Sequence, residues 1–560
     1  MIRHRPVSTR FLVAAAAVAV IFGATLGGLG GLGTAGSPVP DSPDTASGAP
    51  TDTTSSAAPA TPVPPTSPSP APIARLLAPA ATATPVNSPS PVPLVPIVNY
   101  WSSRRSISRI EIAALFAGMG PSPTDGPAPN STVLAVSAGD IGPLTTLLGA
   151  APRGVDIELA AQVRSRVKGS SNVIGIIRAD DVTADVRALG VDGFQLFGAE
   201  HIRNPLMWPL TADEPGVVSS FLASSEWTIA AGGDVMLDKA VFYQSIARYQ
   251  GVDYAWNGGT AVIDRRFCCG WGGKPLVGGS RTGDAGAVGD LFRSADLSIV
   301  NLESPEPDRF RYHASGFTFS GDPELLLGLA DAGIDVAGLA NNHIGNAGTR
   351  GVLDTIRHLD QLGISHAGAG TDQTTARKAD WLQAGGLRVA VLAYDLVDPY
   401  SYWAAPGHPG SAALYMTNVI RDIRAAKKAG ADMVIVMPHW GIEYTDSVLP
   451  LQRTDASRMI DAGADLILGS HSHWVGPFEQ MTPGHFVFYS LGDLVFDWTH
   501  DARTQEGAVA DLTYVGKTLV QIDLHPTLII QGQPNLLDPA GDGGQLLNAI
   551  RRTSEPRLHW

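Results

Sequence analysis

Between residues 227 and 497, short apolar runs alternate with stretches that have a helical pattern. Strands that alternate with helices favour a layered α/β domain with a buried, largely parallel sheet. The pattern predicts strands at 228–231, 297–300, 336–339, 389–393, 433–437, 466–468 and 486–489. It predicts helices at 324–332, 349–362, 412–429 and 452–462.

A smaller α/β pattern precedes this domain, at residues 95–221. It predicts strands at 96–101, 133–136 and 173–177, and helices at 107–116 and 157–167. The pattern is similar to half of a bacterial solute-binding domain, which keeps an extracellular solute-binding protein as one hypothesis. No motif within it predicts a function. Beyond the larger domain, residues 498–560 are expected to form a C-terminal extension with one strand, at 518–524, and a polar, loop-like end.

The beginning of the chain predicts export. Residues 1–36 hold Arg3, Arg5 and Arg10 and then an apolar run without charge. This pattern is typical of a signal peptide, and the run is also long enough for a membrane anchor. Both alternatives predict an extracytoplasmic protein, either membrane-anchored or secreted. Residues 37–94 are rich in Pro, Ser, Thr and Ala, which predicts a disordered linker.

Composition narrows the function classes. Of the 560 residues, 44% are apolar and 16% are charged, which is enough for a sizeable core. The formal net charge of −14 makes the chain a poor partner for nucleic acid. Its two cysteines, Cys268 and Cys269, are adjacent, so they cannot build a disulfide framework or a cysteine-based zinc site. Two free thiols are expected there rather than a vicinal disulfide.

Potential metal ligands follow five of the predicted strands in the larger domain. Open α/β sheets build their sites at the carboxyl ends of strands. Each of these residues has an ordinary structural explanation when it is taken alone, but five strand ends together indicate a site. The two histidines at 471 and 473 are expected to point to the same side, because residues two apart in an extended segment do so. The residues are Asp234, Glu303, Asn341–His343, His439, and His471 with His473.

Six motifs, in this order and spacing, resemble the CapA family of poly-γ-glutamate capsule synthesis proteins. That family is similar in fold to calcineurin-like metallophosphatases. The resemblance implies a layered α/β fold in which a β-sandwich is flanked by helices. It covers about half of the chain and leaves out residues 95–221. The motifs are 233–236 (GDVM), 301–303 (NLE), 341–343 (NNH), 439–444 (HWGIEY), 469–473 (GSHSH) and 490–493 (SLGD).

The resemblance also implies roles for individual residues. Asp234 would bind a first metal ion, Glu303 would bridge, and Asn342 with His439 would bind a second ion. His471 and His473 would be shared between the ions, and His343 would be the acid that protonates a leaving group. Glu443, Tyr444 and Asn341 would contact substrate. One or two divalent ions are implied, with Mn, Zn, Fe and Mg left open. The superfamily's usual histidine two residues after the aspartate is Met236 here, and Asp493 stands where the CapA pattern normally has asparagine.

Two functions are consistent with this resemblance. The first is a metal-dependent hydrolase or transferase in the synthesis or processing of a capsular or envelope polymer of the poly-γ-glutamate type. The alternative is a non-catalytic polymer-binding or export-assembly component on the same fold. The expected partners are the polymer or its precursor and membrane-bound synthase or export components.

Overall fold

The computed structural model describes residues 91–119, 132–213, 221, 223–397, 399–497 and 500–559. The predicted signal peptide or anchor, and nearly all of the predicted linker, therefore lie outside the described residues. Among the helices in the described ranges, none combines the length and the apolar character needed to cross a membrane.

The small domain is one mixed sheet with helices packed against it. Its strand order is β4-β3-β5-β1-β6, and β8 pairs with β1. The first strand begins at Val92, three residues before the predicted start of the domain, because Val92 and Pro93 pair with Ala212 and Thr211. The elements are β1 (Val92–Asn99), β2 (Ser106–Ile107), α1 (Arg109–Phe116), β3 (Val133–Ser137), α2 (Ile141–Leu148), β4 (Val155–Glu158), α3 (Ala160–Gly169), β5 (Val173–Arg178), β6 (Val186–Ala188), β7 (Gly190–Val191) and β8 (Thr211–Ala212).

The larger domain contains two large sheets and eight helices in the described ranges. Its elements are β9 (Glu226–Val235), α4 (Lys239–Phe242), β10 (Thr260–Cys268), β11 (Pro275–Gly283), α5 (Ala287–Ser294), β12 (Leu297–Leu302), α6 (Leu326–Asp331), β13 (Val336–Gly338), α7 (Gly348–Leu362), β14 (Ser365–Ala367), β15 (Ala369–Gly370), α8 (Gln373–Ala376), β16 (Asp380–Ala384), β17 (Leu387–Asp395), β18 (Gly410–Ser411), α9 (Met416–Lys428), β19 (Met433–His439), α10 (Pro450–Ala462), β20 (Leu466–Leu468), β21 (Phe478–Thr482), β22 (His485–Phe488), β23 (Asp493–Val495), β24 (Glu506–Val515), β25 (Thr518–Ile530), β26 (Gln533–Leu537) and α11 (Gly543–Ser554).

The two large sheets pack face to face, and helices cover their outer sides. The first has the order β11-β10-β26-β25-β24-β9-β12-β13-β14, with β23 beside β9, and the second has the order β16-β17-β19-β20-β22-β21. Ile229 and Ile299 of the first sheet share one apolar core with Val391 and Ile435 of the second. Helices α6 and α7 pack on the outer side of the first sheet, and α9 and α10 on that of the second. The β-sandwich flanked by helices that the resemblance implies is confirmed.

The C-terminal extension contains the predicted strand at 518–524 within β25, but the prediction missed two further strands and a helix. Its three strands join the first sheet, and β24 pairs along most of β9, for example Ala510 with Ala231. The chain then ends in helix α11 rather than in a loop. The strand β24 shows no alternation of apolar and polar residues because both of its faces are buried. Its polar residues Asp511 and Thr513 accept hydrogen bonds from the backbone N–H groups of Ala199 and Gly198 in the preceding segment.

The small domain docks on the larger one through strand β25. Asp523 lies 3.4 Å from a guanidinium nitrogen of Arg105 and 3.4 Å from one of Arg187. Burial raises the pKa of Asp523, but these two arginines outweigh it and lower that pKa below its ordinary value. The side chain of Gln521 also accepts a hydrogen bond from Ala188 N. Because a buried carboxylate needs its cationic partners, this contact fixes the two domains together.

A hairpin, β10 and β11, was not foreseen in the glycine-rich stretch around the cysteines. Its strands pair antiparallel from Thr260 with Gly283 to Cys268 with Pro275. Near its turn, Cys268 and Cys269 are joined as a vicinal disulfide across a cis peptide bond. The expectation of two free thiols was therefore wrong.

Candidate metal centre

The strand ends that carry the predicted ligands meet at one edge of the sandwich. Strands β12 and β23 both pair parallel to β9, so Asn301 and Asp493 lie opposite Asp234. In the second sheet, β19 and β20 are parallel, and a bridge joins His439 to Ser470 just beyond β20. Parallel strands direct their carboxyl ends to the same edge, which explains the convergence.

Three buried side chains form the first half of the site. Ligand-type atoms of Asp234, Glu303 and His473 all lie within 4.8 Å of one another. The Asp234 carboxylate is fixed on both sides, since Asn301 Nδ2 donates to one oxygen at 2.8 Å and His471 N donates to the other at 3.2 Å. Neither carboxylate oxygen of Glu303 has a hydrogen-bond partner within the described residues. A buried, unpartnered carboxylate is costly, and a divalent cation would satisfy both oxygens.

The second half of the site surrounds His439. Its Nε2 lies 2.9 Å from Asn342 Oδ1 and 3.5 Å from Glu303 Oε1, and its Nδ1 lies 2.8 Å from Ser470 Oγ. The ring of His471 stands 4.8 Å from that of His439, and no described residue makes a hydrogen bond with His471 Nδ1. All six predicted ligands therefore meet in one chain of contacts, with Glu303 between the two halves.

The charges of these buried groups depend strongly on one another. Burial lowers the pKa of His473, but Asp493, Glu303 and Asp234 outweigh it and raise that pKa to about 10. Burial raises the pKa of Glu303 well above its ordinary value, and the neighbouring Asp234 raises it further. Burial and the nearby His471 hold the pKa of His439 well below its ordinary value. The site thus concentrates carboxylates around one positive charge, as a cation-binding site does.

The geometry of the two histidines in the loop differs from the expected one. They are not in an extended segment, because His471 has φ +97° and His473 has φ +56°. Both values lie in the left-handed region, which costs a non-glycine residue about 1 kcal/mol or more. The turn directs the rings to different halves of the site. His473 Nδ1 lies 3.9 Å from Asp234 Oδ2, whereas His471 stands beside His439.

The site opens into a cleft of about 610 Å³. Glu443 and Tyr444 line it, as expected of residues that contact substrate, and so does His343. Asn341 does not fit that prediction. It is fully buried, its Nδ2 donates to Leu302 O at 2.7 Å, and its Oδ1 accepts from His343 N at 3.1 Å. The Asn341 side chain therefore shapes the turn that carries Asn342 and His343, and it does not reach a substrate.

The sequence of the larger domain is similar to that of known proteins. A family model described as "Bacterial capsule synthesis protein PGA_cap" matches residues 228–498. The match covers most of the larger domain, which is therefore similar to this family. The chain is 29% identical over 282 residues to "Capsule biosynthesis protein CapA" of Bacillus anthracis, covering 49% of this chain and 68% of that protein. It is 33% identical over 227 residues to "PGA biosynthesis protein CapA" of Bacillus subtilis (strain 168), covering 40% of this chain and 58% of that protein.

One solved structure with some likeness is the NAD nucleotidase of Haemophilus influenzae. The two share 12% identity with a TM-score of 0.30, over 60% of this chain and 56% of that one. Likeness at this level says nothing about activity.

Met236, which stands where the resemblance implies a histidine, lies in an apolar environment. Met236 is fully buried and packs with Phe319, Phe496 and Ile529 in an apolar cluster. Phe319 in turn lies against the His343 ring, with 4.0 Å between ring centroids. The cluster thus forms an apolar floor beneath the site, and a thioether stands where the resemblance to metallophosphatases implies an imidazole.

Several residues that support the PGA_cap ligands were not among the predicted site residues. Asp493 Oδ1 lies 2.8 Å from His473 Nδ1, the kind of carboxylate contact that orients a ligating histidine. Ser470 contacts His439 in a similar way, and Lys239 lines the cleft. Asn301, Ser470 and Asp493 each stand inside a quoted motif, so the motifs themselves contained the signal. Lys239 lies three residues beyond the end of the first motif, so the motif gave no signal for it.

Proposed function

We propose that this chain is an exported, divalent-metal-dependent hydrolase or transferase that acts in the synthesis or processing of a capsular or envelope polymer. The match of residues 228–498 to the PGA_cap family model supports the capsule-related role. The two Bacillus relatives are named for capsule and PGA biosynthesis, which supports a polymer of the poly-γ-glutamate type or its precursor as substrate.

The observation that carries the proposal is the Glu303 carboxylate. It is fully buried at the centre of the site, has no hydrogen-bond partner among the described residues, and lies with Asp234 and His473 within 4.8 Å. These three residues would hold one divalent ion, and His439, Asn342 and His471 would hold a second beside it. Such ions, when bound, supply Lewis-acid activation and a nucleophilic water. The carboxylate and imidazole donors suit Mn, Zn or Fe, and Mg less well.

Two side chains of the cleft could move protons. His343 Nδ1 lies 2.9 Å from Asn346 Oδ1, so it carries the proton and donates it, which leaves Nε2 as an acceptor. Burial lowers the pKa of His343 to about 4, so at neutral pH it must first take up a proton before it can donate one to a leaving group. Burial and the nearby carboxylate of Glu443 raise the pKa of Tyr444, so this phenol keeps its proton.

A second candidate function rests on Met236. Its thioether packs in the apolar cluster, where the superfamily places an imidazole ligand. A weaker first metal site would favour a non-catalytic polymer-binding or export-assembly component that works beside a membrane-bound synthase. Both candidates place the domain outside the cytoplasm, tethered by or released from the segment predicted at 1–36.

Metal content separates these candidates. We expect the purified protein, loaded separately with Mn, Zn, Fe or Mg, to bind two ions by elemental analysis and to hydrolyse a generic phosphoester. The variants His439→Ala and His471→Ala should each lose most of one ion while circular dichroism stays unchanged. A matched control is His366→Ala, which removes a histidine from strand β14 that contacts Asp360 and takes no part in the site. Wild-type metal content in both site variants would refute the metal centre, and two bound ions without hydrolysis would favour the non-catalytic role.

A further inference from the structure

A second cavity lies beside the metal cleft and shares one wall with it. It has a volume of about 930 Å³, larger than the 610 Å³ of the cleft. Residues 307–320, here called the arginine segment, contribute Arg309 and Arg311 to the second cavity and Phe317 to the cleft. The segment therefore stands between the two spaces.

Hydrogen bonds connect the two spaces through the wall. His343 lines the cleft and Asn346 lines the second cavity, and His343 Nδ1 lies 2.9 Å from Asn346 Oδ1. The same oxygen accepts a hydrogen bond of 2.7 Å from Phe319 N in the arginine segment. A molecule that extends from the cleft over this segment would enter the second cavity close to Asn346, which contacts the candidate acid His343.

The acidic groups of the second cavity are already neutralised. Asp354 accepts hydrogen bonds from Arg357 at 2.8 Å and from Arg350 at 3.1 Å. Asp308 pairs with Arg357 and with Arg350. Burial raises the pKa of Asp354, but the bonds from Arg357 and Arg350 outweigh it and lower that pKa. Both carboxylates are therefore paired with Arg350 and Arg357, and they leave no negative charge to balance further arginines.

Arg309 and Arg311 supply the remaining charge. Both are exposed, and neither makes an ion pair or a hydrogen bond with any described residue. The segment that carries them is held in place, because the rings of Phe310 and Tyr312 pack against Phe242 at 4.7 and 5.2 Å between centroids. In a chain with a net charge of −14, two uncompensated guanidinium groups on a fixed segment produce a local site for anions.

We propose that the second cavity is a subsite for a linear polymer that carries an oxyanion, carboxylate or phosphate, on successive units. One unit would lie in the metal cleft, while a neighbouring unit would cross the arginine segment and pair with Arg309 and Arg311. This subsite deepens the proposed function and rests on it for the position of the reacting unit. If the subsite exists, the arginine segment is the part of the protein that makes a polymer a better substrate than a small ester.

The test measures binding of defined polymers to the full chain. We expect a fluorescent poly-γ-glutamate oligomer or a polyglycerol phosphate oligomer to bind, with a Kd that rises with salt. The double variant Arg309→Gln/Arg311→Gln should raise that Kd about tenfold, whereas Arg309→Lys/Arg311→Lys should keep part of the affinity. The oligomer that shows this loss identifies the oxyanion.

The control removes the same charge from elsewhere on the surface. Arg424 and Arg552 are exposed on helices α9 and α11 and line neither cavity. Arg424→Gln/Arg552→Gln should leave the Kd unchanged. Binding of neither oligomer, or equal losses in the two double variants, would overturn the subsite. Elemental analysis of the same samples keeps the two proposals apart, since a protein without metal that binds polymer through Arg309 and Arg311 would contradict only the proposed function.

Discussion

Replacing Glu303 by Gln tests the metal centre most directly, because it removes one charge and almost no volume. In the metal-free protein the electrostatic effects of this change should nearly cancel. Two unit charges 4.8 Å apart, the limit within which Glu303, Asp234 and His473 lie, interact by about 3.5 kcal/mol at an effective dielectric constant of 20. The variant loses a repulsion of this size toward Asp234 and an attraction of this size toward His473. Burial also disfavours the charged form of Glu303 and raises its pKa, and this cost is absent in the variant. We therefore expect the melting temperature of the variant in chelator to equal or exceed that of the wild type.

A bound metal ion should stabilise the wild type more than the variant Glu303→Gln. An ion at one hundred times its Kd stabilises the folded state by about 2.7 kcal/mol. If the loss of the Glu303 carboxylate weakens binding about a hundredfold, the same ion concentration stabilises the variant by only about 0.4 kcal/mol. The difference of about 2 kcal/mol corresponds to a melting temperature lower by about 3 °C, because a domain of roughly 330 residues unfolds with an entropy of about 0.7 kcal/mol/K.

Glu306→Gln is the matched control. Glu306 is also fully buried, and one of its carboxylate oxygens also has no hydrogen-bond partner among the described residues, but its other oxygen accepts from Ser304 Oγ at 2.7 Å. It is not in the group that could hold an ion. Thermal melts of the three proteins, with and without Mn, decide the question. Equal stabilisation by the metal in wild type and Glu303→Gln, or the same loss in Glu306→Gln, would refute the reasoning.

Four further predictions follow from other parts of the structure. His343→Ala should keep the metal and reduce phosphoester turnover by ~10²–10⁴-fold, which steady-state kinetics with elemental analysis would check. Met236→His should raise metal occupancy and, in chelator, lower stability by about 1–3 kcal/mol because it buries a polar ring in an apolar cluster. Removal of residues 1–90 should leave a cooperative melt, whereas a cut after Pro93 should weaken it because β1 then loses both residues that pair with β8. Deletion of 500–559 should abolish folding, visible as loss of the cooperative transition, because β24 leaves β9 unpaired on one side.

The positions of the ligands were predictable from the sequence because each lies at or just beyond the end of a strand that contains an apolar run. Strands buried on both faces, such as β19 with Met433–His439, stand out as continuous apolar runs. His439 then had to lie at the carboxyl edge of the sheet. The C-terminal strands gave no such signal. Glu506–Val515 mixes Glu506, Asp511 and Thr513 with apolar residues, because its polar groups face partners inside the protein instead of water.

What each ligand does depends on contacts that sequence spacing does not determine. The backbone turn at His471 and His473 sends their rings to different halves of the site, although spacing alone predicted one shared side. Asn341 and Asn342 are neighbours of the same type. The turn buries the first against Leu302 O and presents the second to His439. Only the tertiary fold distinguishes them.

The site is assembled across both sheets, so its geometry depends on how closely they approach at this edge. Asp234 and Glu303 come from the first sheet and His439 from the second. Gly338, at the end of β13, allows a close approach, because a Cβ there would stand 2.7 Å from the Met437 side chain of β19. A Cβ at this position would displace the end of the Met437 side chain, which belongs to the core between the sheets and lies two residues before His439. The packing between the two sheets near the site therefore includes a glycine, which leaves room for the Met437 side chain and carries none of the chemistry itself.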